Sequence, residues 1–263
     1  MDLSRQSFLG SNSDDVIQNS RIAVVGLCGG GSHVAQQLAH VGFRNQQLID
    51  HDHADDTNIN RMVGLTAIDV KNKAAKTDVI CRLVKGINPN ANVQLFPMRW
   101  QQCADMLRDC TAIFGCVDSF VERDQLERFA RRFMIPYIDI GMDVTGERGS
   151  HVISGQVILS LPNHACMHCM GFLTEEIIAE EVKRYGNAGG KPQVVWPNGT
   201  LASVAVGQLM SLLTPWNDSI KPALYLDYDG NRMTVTPNKR LMHINEQSCQ
   251  HFQGPDSLGE VLP

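Results

Sequence analysis

The feature that most restricts how this chain folds is residues 21–43, RIAVVGLCGGGSHVAQQLAHVGF. A β-branched run (Ile22, Val24, Val25) feeds a glycine cluster, and a helix-like segment follows. Strand, glycine turn and helix in that order open a βαβ unit. The turn exposes backbone N–H groups at a helix N-terminus, where a phosphate is favoured. The run fits the G-x-G-x-x-G nucleotide pattern except that Cys28 stands where the middle glycine belongs. A glycine turn alone does not separate a dinucleotide site from an ATP site.

Alternation of strand and helix continues to about residue 141. Strand-like runs fall at Ile22–Val25, Gln47–Ile49, Val93–Phe96, Ala112–Cys116 and Tyr137–Ile140. Between them, Val79, Ile80, Leu83, Val84 and Ile87 follow helical spacing. Leu126, Phe129, Ala130 and Phe133 do the same, with Ser119 as a candidate N-cap. The pattern predicts an α/β fold, doubly wound around a mainly parallel sheet. After Gly141 it changes to a strand at 150–162, a charged helix at 174–186 and an apolar helix over TLASVAVGQLMSLL. Two alternating strands joined at Asp229-Gly230 then predict an antiparallel C-terminal extension. The tail from about Pro237 is polar and expected to be loose.

A chain of 263 residues suits one large domain, or one with a small appendage. The formal net charge of −5 argues against a nucleic-acid partner. Residues 1–20 are polar and have no apolar core of a signal peptide, and no window offers the roughly 20 apolar residues of a membrane span. Eight cysteines, several inside predicted strands or helices (Cys81, Cys116), fit reduced thiols and a cytoplasmic protein without a disulfide framework.

Asp50 ends the second strand, where a ribose-binding acid belongs. Asn58 and Arg61 follow it; a dehydrogenase has no need of a cation there, whereas a reacting triphosphate does. Lys73 and Lys76 precede or open the next helix, where cations oppose the macrodipole unless an anion lies close.

The segments SRQSFLG, VVGLCGGGSH, IDHD with NINR, INPNANV, GCVDSFVERDQL, IPYIDIG and ACMHC stand in the order found in the adenylating superfamily of ThiF, MoeB and HesA proteins. The ubiquitin-activating enzymes belong to the same superfamily, and the chain resembles it over roughly residues 4–215. The resemblance implies a Rossmann-like adenylation domain at 21–236, an N-terminal arm at 1–20 and a polar tail at 237–263. It implies ATP bound at Gly26, Gly29 and Gly31, with Gly30 adding slack and the Cys28 thiol packed beside the nucleotide. Asp50 would bind the ribose, and Asn58, Arg61 and a lysine the phosphates. Counting back from INP selects Lys76, while counting forward from Arg61 falls between Lys73 and Lys76; the helix after Lys76 matches without a gap, which favours Lys76.

By the same resemblance Asp118 would hold Mg²⁺, and Arg5 would reach a partner subunit's ATP across a homodimer. The implied reaction is adenylation of a carboxylate, the C-terminal glycine of a ubiquitin-like or sulfur-carrier protein. Alternatives are a small-molecule or tRNA-borne carboxylate, or a catalytically silent scaffold. Cys166 and Cys169 form half of a candidate Zn²⁺ site. Many family members supply a second Cys-x-x-Cys downstream, but only Cys249 follows here, leaving His164 or His168 as further ligands. Without a metal, Cys166 or Cys169 could accept an acyl group; otherwise the reaction stops at the adenylate.

Overall fold

Burial is nearly complete along β1 (Arg21–Val25), the middle strand of the parallel part of the sheet. A strand covered on both faces needs apolar residues at successive positions, and Ile22, Ala23, Val24 and Val25 supply them. The computed structural model describes residues 2–183 and 192–252. The other strands are β2 (Asn45–Ile49), β3 (Asn92–Phe96), β4 (Ala112–Gly115), β5 (Tyr137–Thr145), β6 (Val152–Ser160), β7 (Tyr225–Asp229) and β8 (Thr234–Pro237). They form one eight-stranded sheet in the order β3-β2-β1-β4-β5-β6-β7-β8. Pairing is parallel from β3 through β5 and antiparallel from β5 through β8.

The helices are α1 (Ser13–Asn19), α2 (Gly29–Val41), α3 (Ala67–Lys71), α4 (Lys76–Ile87), α5 (Phe120–Arg132), α6 (Glu175–Lys183) and α7 (Val195–Leu213). α2 packs against both α4 and α7, while α5 packs against α6. Strand order runs outward from β1 to β2 and β3, then returns to β4 on the other side of β1. With right-handed crossovers this reversal puts α2 and α4 on one face and α5 on the other, and it opens a crevice above the carboxyl ends of β1 and β4.

Helix signals act as the sequence predicts. α4 spans the same twelve residues as the amphipathic run. The Ser119 hydroxyl accepts from the Glu122 N–H at 3.2 Å and caps α5. Predicted helix 174–186 appears as α6 up to Lys183, and the remainder lies outside the described residues. The apolar helix starts earlier than predicted, at Val195, and carries Pro197 and Asn198 in its first turn.

Two expectations need correction. The β7–β8 connection is not a two-residue turn at Asp229-Gly230, because Asp229 pairs with Thr234. The Asp229 carboxylate instead accepts the N–H groups of Asn231 and Arg232 at 3.1 and 3.0 Å, stabilising a longer loop. The tail is also tied down as far as it is described. The Ala165 N–H donates to the Glu246 carbonyl at 2.9 Å, and Phe252 lies under the guanidinium groups of Arg128 and Arg131.

Candidate functional site

The chain crosses the sheet's carboxyl edge first at Gly26. Its φ of +85° is a left-handed conformation that a Cβ would strain, and a Cβ there would fall 2.5 Å from the Cys116 carbonyl oxygen. Gly31 is more constrained: a Cβ would lie 1.8 Å from the Gly26 carbonyl oxygen. The turn therefore closes on itself, and α2 begins at Gly29 with its first N–H groups directed at a cleft of about 240 Å³.

That cleft gathers residues from the segments that follow β1, β2, β3 and β4. Gly26, Cys28, Gly29 and Gly30 form one wall; Asp50, Asp52 and Lys76 form another; Trp100, Asp118, Glu122 and Arg123 close the far side. Asp50 is buried, and its two oxygens accept the N–H groups of Leu27 at 2.7 Å and Asp52 at 2.8 Å. It thereby fixes the glycine turn against the end of β2.

Lys76 is buried, with Nζ 2.7 Å from Asp52 Oδ2. Burial disfavours its charge, but the carboxylates of Asp50 and Asp52 outweigh that and raise its pKa above the ordinary lysine value. Lys73 is exposed in the turn ahead of α4, with φ +48° and no place in the cleft. Of the two lysines left open by spacing, the fold brings Lys76 to the glycine turn.

Asp118 stands exposed at the carboxyl end of β4, its Oδ1 accepting from Gln193 Nε2 at a long 3.4 Å. A carboxylate so lightly engaged keeps lone pairs for a hard cation, so its donor chemistry fits Mg²⁺. Burial raises the Glu122 carboxyl above its usual pKa despite the nearby Arg99. Beneath them Arg123 is buried against Asp139, with which it forms an ion pair, and donates to the Val117 carbonyl. Burial likewise raises the Cys28 thiol, with the charges of Lys76 and Arg61 opposing the shift.

Arg61 and Asn58 do not line this cleft. Arg61 lines a second one of about 640 Å³ together with Thr57, His151 and Trp196, and the two clefts share Gln193. Arg61 Nη1 donates to the Thr57 carbonyl and to Asn60 Oδ1, leaving its buried Nε without a partner. Asn58 is buried; its carbonyl accepts from Arg61 and Met62, and its Oδ1 has no partner. Arg5 lies exposed on the short helical segment Ser4–Leu9 and belongs to neither cleft.

A separate cluster joins Cys166 and Cys169 to Cys249 and His251. Sγ of Cys166 lies 3.6 Å from Sγ of Cys169 and 3.4 Å from His251 Nδ1. Sγ of Cys169 lies 3.8 Å from Sγ of Cys249 and 3.2 Å from His251 Nδ1. Ligands held about 2.3 Å from a tetrahedral zinc sit roughly 3.8 Å apart, so the four atoms fit such an ion. Neither histidine considered from sequence belongs to the cluster. His168 Nε2 is 2.7 Å from Asp124, and His164 Nδ1 faces the Pro162 carbonyl at 3.0 Å. His251 was missed, although the spacing Cys249-x-His251 carried the signal.

Sequence spacing also missed Asp52, Gln193 and Asn198. All three reach the first cleft, Asn198 from α7.

The glycine turn, the acid closing β2 and the carboxylate closing β4 share one crevice, and a family model described as the ThiF family matches residues 3–251. The chain belongs to the ThiF family. Among its relatives, the molybdopterin-synthase adenylyltransferase of Haemophilus influenzae is 26% identical over 129 residues, covering 48% of this chain and 52% of the relative. The tRNA threonylcarbamoyladenosine dehydratase of the same organism is 31% identical over 128 residues, 48% of each chain. This ThiF-family chain thus spans about half the length of these curated relatives. A crystal structure of Escherichia coli MccB with ATP superposes with a TM-score of 0.73 at 18% identity, covering 94% of this chain and 72% of that one. The likeness establishes a shared Rossmann-type fold.

Proposed function

We propose that this ThiF-family chain adenylates a carboxylate with ATP, the carboxylate being the C-terminal glycine of a ubiquitin-like or sulfur-carrier protein. The observation that carries the reading is the convergence of the glycine turn, Asp50, Lys76 and Asp118 on one crevice at the β1/β4 switch point. In this reading the turn and the start of α2 take the phosphates, Asp50 the ribose, and Lys76 neutralises phosphate charge. Asp118 would hold Mg²⁺, whose chemistry when bound is neutralisation of phosphate charge. Arg61 acts from the second cleft, with Asn58 in the turn that precedes it, and Arg5 serves a partner subunit's site in a homodimer.

The chemistry needs no general base, because the attacking carboxylate is ionised at pH 7. Its oxygen forms a bond to the α-phosphorus, the α–β bridging bond breaks, and the electron pair leaves with pyrophosphate. Catalysis is then positioning and charge neutralisation, which Lys76 and the N–H groups of the turn supply. The sulfur carrier protein ThiS adenylyltransferase of Bacillus subtilis, 23% identical to this chain over 164 residues, supports a sulfur-carrier substrate. The zinc-type cluster is read as structural, which leaves no thiol there to accept the acyl group.

A second reading, activation of a tRNA-borne or small-molecule carboxylate, draws on the dehydratase relative and is opposed by the net charge of −5. ATP–pyrophosphate exchange separates the two. Protein, ATP, Mg²⁺ and labelled pyrophosphate are mixed with a glycine-terminated carrier protein, a modified tRNA or small acids. Exchange dependent on the carrier is expected; exchange only with another carboxylate favours the second reading. Failure to bind ATP overturns both.

A further inference from the structure

Gly29 and Asn198 compete for the same space. A Cβ on Gly29 would fall 2.6 Å from Asn198 Nδ2 and 3.0 Å from its Oδ1. The glycine therefore makes room for an amide as well as for a phosphate. Asn198 is 5% exposed, lies in the first turn of α7 and lines the first cleft.

Its hydrogen bonding is lopsided. Nδ2 carries two hydrogens. One donates to the Val194 carbonyl at 2.9 Å; the other faces the Met142 sulfur at 3.4 Å. The Val194 bond fixes the assignment, since the flipped amide would set two carbonyl oxygens against each other. A thioether is a weak acceptor, so a buried amide N–H left to it recovers little of its desolvation penalty. A ligand oxygen entering the cleft would satisfy it.

Position selects which oxygen. Asn198 lines the first cleft; Val194, which holds its other hydrogen, lines the second, and Gln193 lines both. The amide thus stands between the phosphate turn and the second cleft. An acyl chain lying along Val144, Ile153 and Trp196 of the second cleft would bring its carboxylate to this junction.

We propose that Asn198 contacts the acyl substrate, its Nδ2 donating to a carboxylate oxygen and holding that group toward the α-phosphorus of ATP. This rests on the adenylation reading and adds to it a residue specific to the acyl side. An uncharged amide donates to the carboxylate without competing with Lys76 for the triphosphate. Nucleotide affinity is accordingly independent of Asn198, while affinity for the joined acyl-adenylate is not.

The test measures two dissociation constants by calorimetry, for ATP and for 5′-O-(N-acetylglycyl)sulfamoyladenosine, an unreactive mimic of the acyl-adenylate. For Asn198→Ala, the mimic is expected to bind about 10–100-fold more weakly while ATP stays within about 3-fold of wild type. Asn198→Asp, which replaces the donor by a negative charge, loses more for the mimic. Parallel loss of both ligands, or no loss of the mimic, overturns the proposal. If Asn198→Ala melts early, Asn198→Ser takes its place. Should neither variant keep ATP affinity, Asn198 is a prop of the turn and the proposal falls. Wild-type protein that binds neither ligand removes the adenylation reading itself.

Discussion

The Lys76 ammonium lies 2.7 Å from the Asp52 carboxylate, and the Lys76 backbone N–H donates to the Asp52 carbonyl at 3.1 Å. One residue thus anchors both the side chain and the first turn of α4. The anchor matters because Lys76 is a cation buried in the first cleft and, unlike the buried Arg123, is held by a carboxylate at the cleft's exposed edge.

Replacing Lys76 by Met is expected to lower exchange by about 10²–10³-fold, the scale of losing one preorganised charge-stabilising group. Asp52→Asn keeps the shape but frees the ammonium, and a loss of about 10-fold or more follows from misplacement. Burial opposes ionisation of Asp52, but the Lys76 hydrogen bond and charge hold its pKa below the ordinary 3.8; Lys76 is raised above 10.5. The depressed acid contributes stability above 3.8, lost as pH falls through its folded value. The raised lysine contributes below 10.5, lost as pH rises through its folded value. The Asp52→Asn deficit in urea unfolding should hold steady between those limits and shrink beyond either one. A deficit unchanged at both extremes contradicts the pair.

Glycines in this chain sort by what a Cβ would meet. At Gly31 it would strike the Gly26 carbonyl at 1.8 Å, whereas at Gly86 within α4 nothing lies within 4 Å. Gly31→Ala is expected to abolish ATP binding or soluble expression. Gly86→Ala should raise stability by about 0.5–1 kcal/mol through helix propensity. Thermal melts of the two variants check the contrast; a tolerated Gly31→Ala would refute the closed turn.

The Cys166–Cys169–Cys249–His251 cluster predicts one zinc per chain by elemental analysis. Cys249→Ser or His251→Ala should lower zinc content, and loss of roughly 2–3 kcal/mol would lower Tm by about 5–10 °C. A strong chelator should reproduce the shift in the wild type and leave the His251→Ala melt unmoved. His168→Ala should retain the metal, because that ring is engaged by Asp124 instead.

Asp69 offers a test of acid sensitivity away from the cleft. Its carboxylate takes two 2.7 Å bonds from Arg82, and the Thr66 N–H and hydroxyl donate to it at 2.9 and 2.6 Å. The Arg82 bonds above all hold it well below the usual carboxylate range. Arg82 is half exposed, so Asp69→Asn should cost only about 1–2 kcal/mol at pH 7. Being depressed, the acid stabilises above the unfolded pKa of about 3.9 and stops doing so as pH falls through its folded value. The gap between wild type and variant in urea melts should therefore close toward low pH.

What was legible in the sequence was whatever short-range chemistry decides. α4 could be bounded because five apolar residues and one amphipathic period define it, and the Ser119 cap because the N–H that donates to it sits three residues along. Strand β1 was legible because double burial demands an unbroken apolar run. Long-range closure was not legible. Nothing near Gly29 in sequence names Asn198 as the side chain that fills the absent Cβ, and nothing near Cys166 names His251. The ungapped match of the helix that follows favours Lys76 over Lys73, and the turn that exposes Lys73 and buries Lys76 supplies the physical reason.

The cysteine cluster has a consequence for synthesis. Helix α5 begins at the cleft with Asp118 and Ser119, and at its other end Glu127 accepts the Met167 N–H while Arg131 donates to the carbonyls of His164 and Ala165. Yet Cys169 and Cys249 are 80 residues apart. At translation rates of about 5–20 residues per second, the first thiol pair leaves the ribosome roughly 4–16 s before its partners. For that interval Glu127, Arg131 and the Asp124–His168 contact brace α5 without Cys249 and His251, and two thiols stand open to metal or oxidant. The nascent chain must pass through this stage before it can lock.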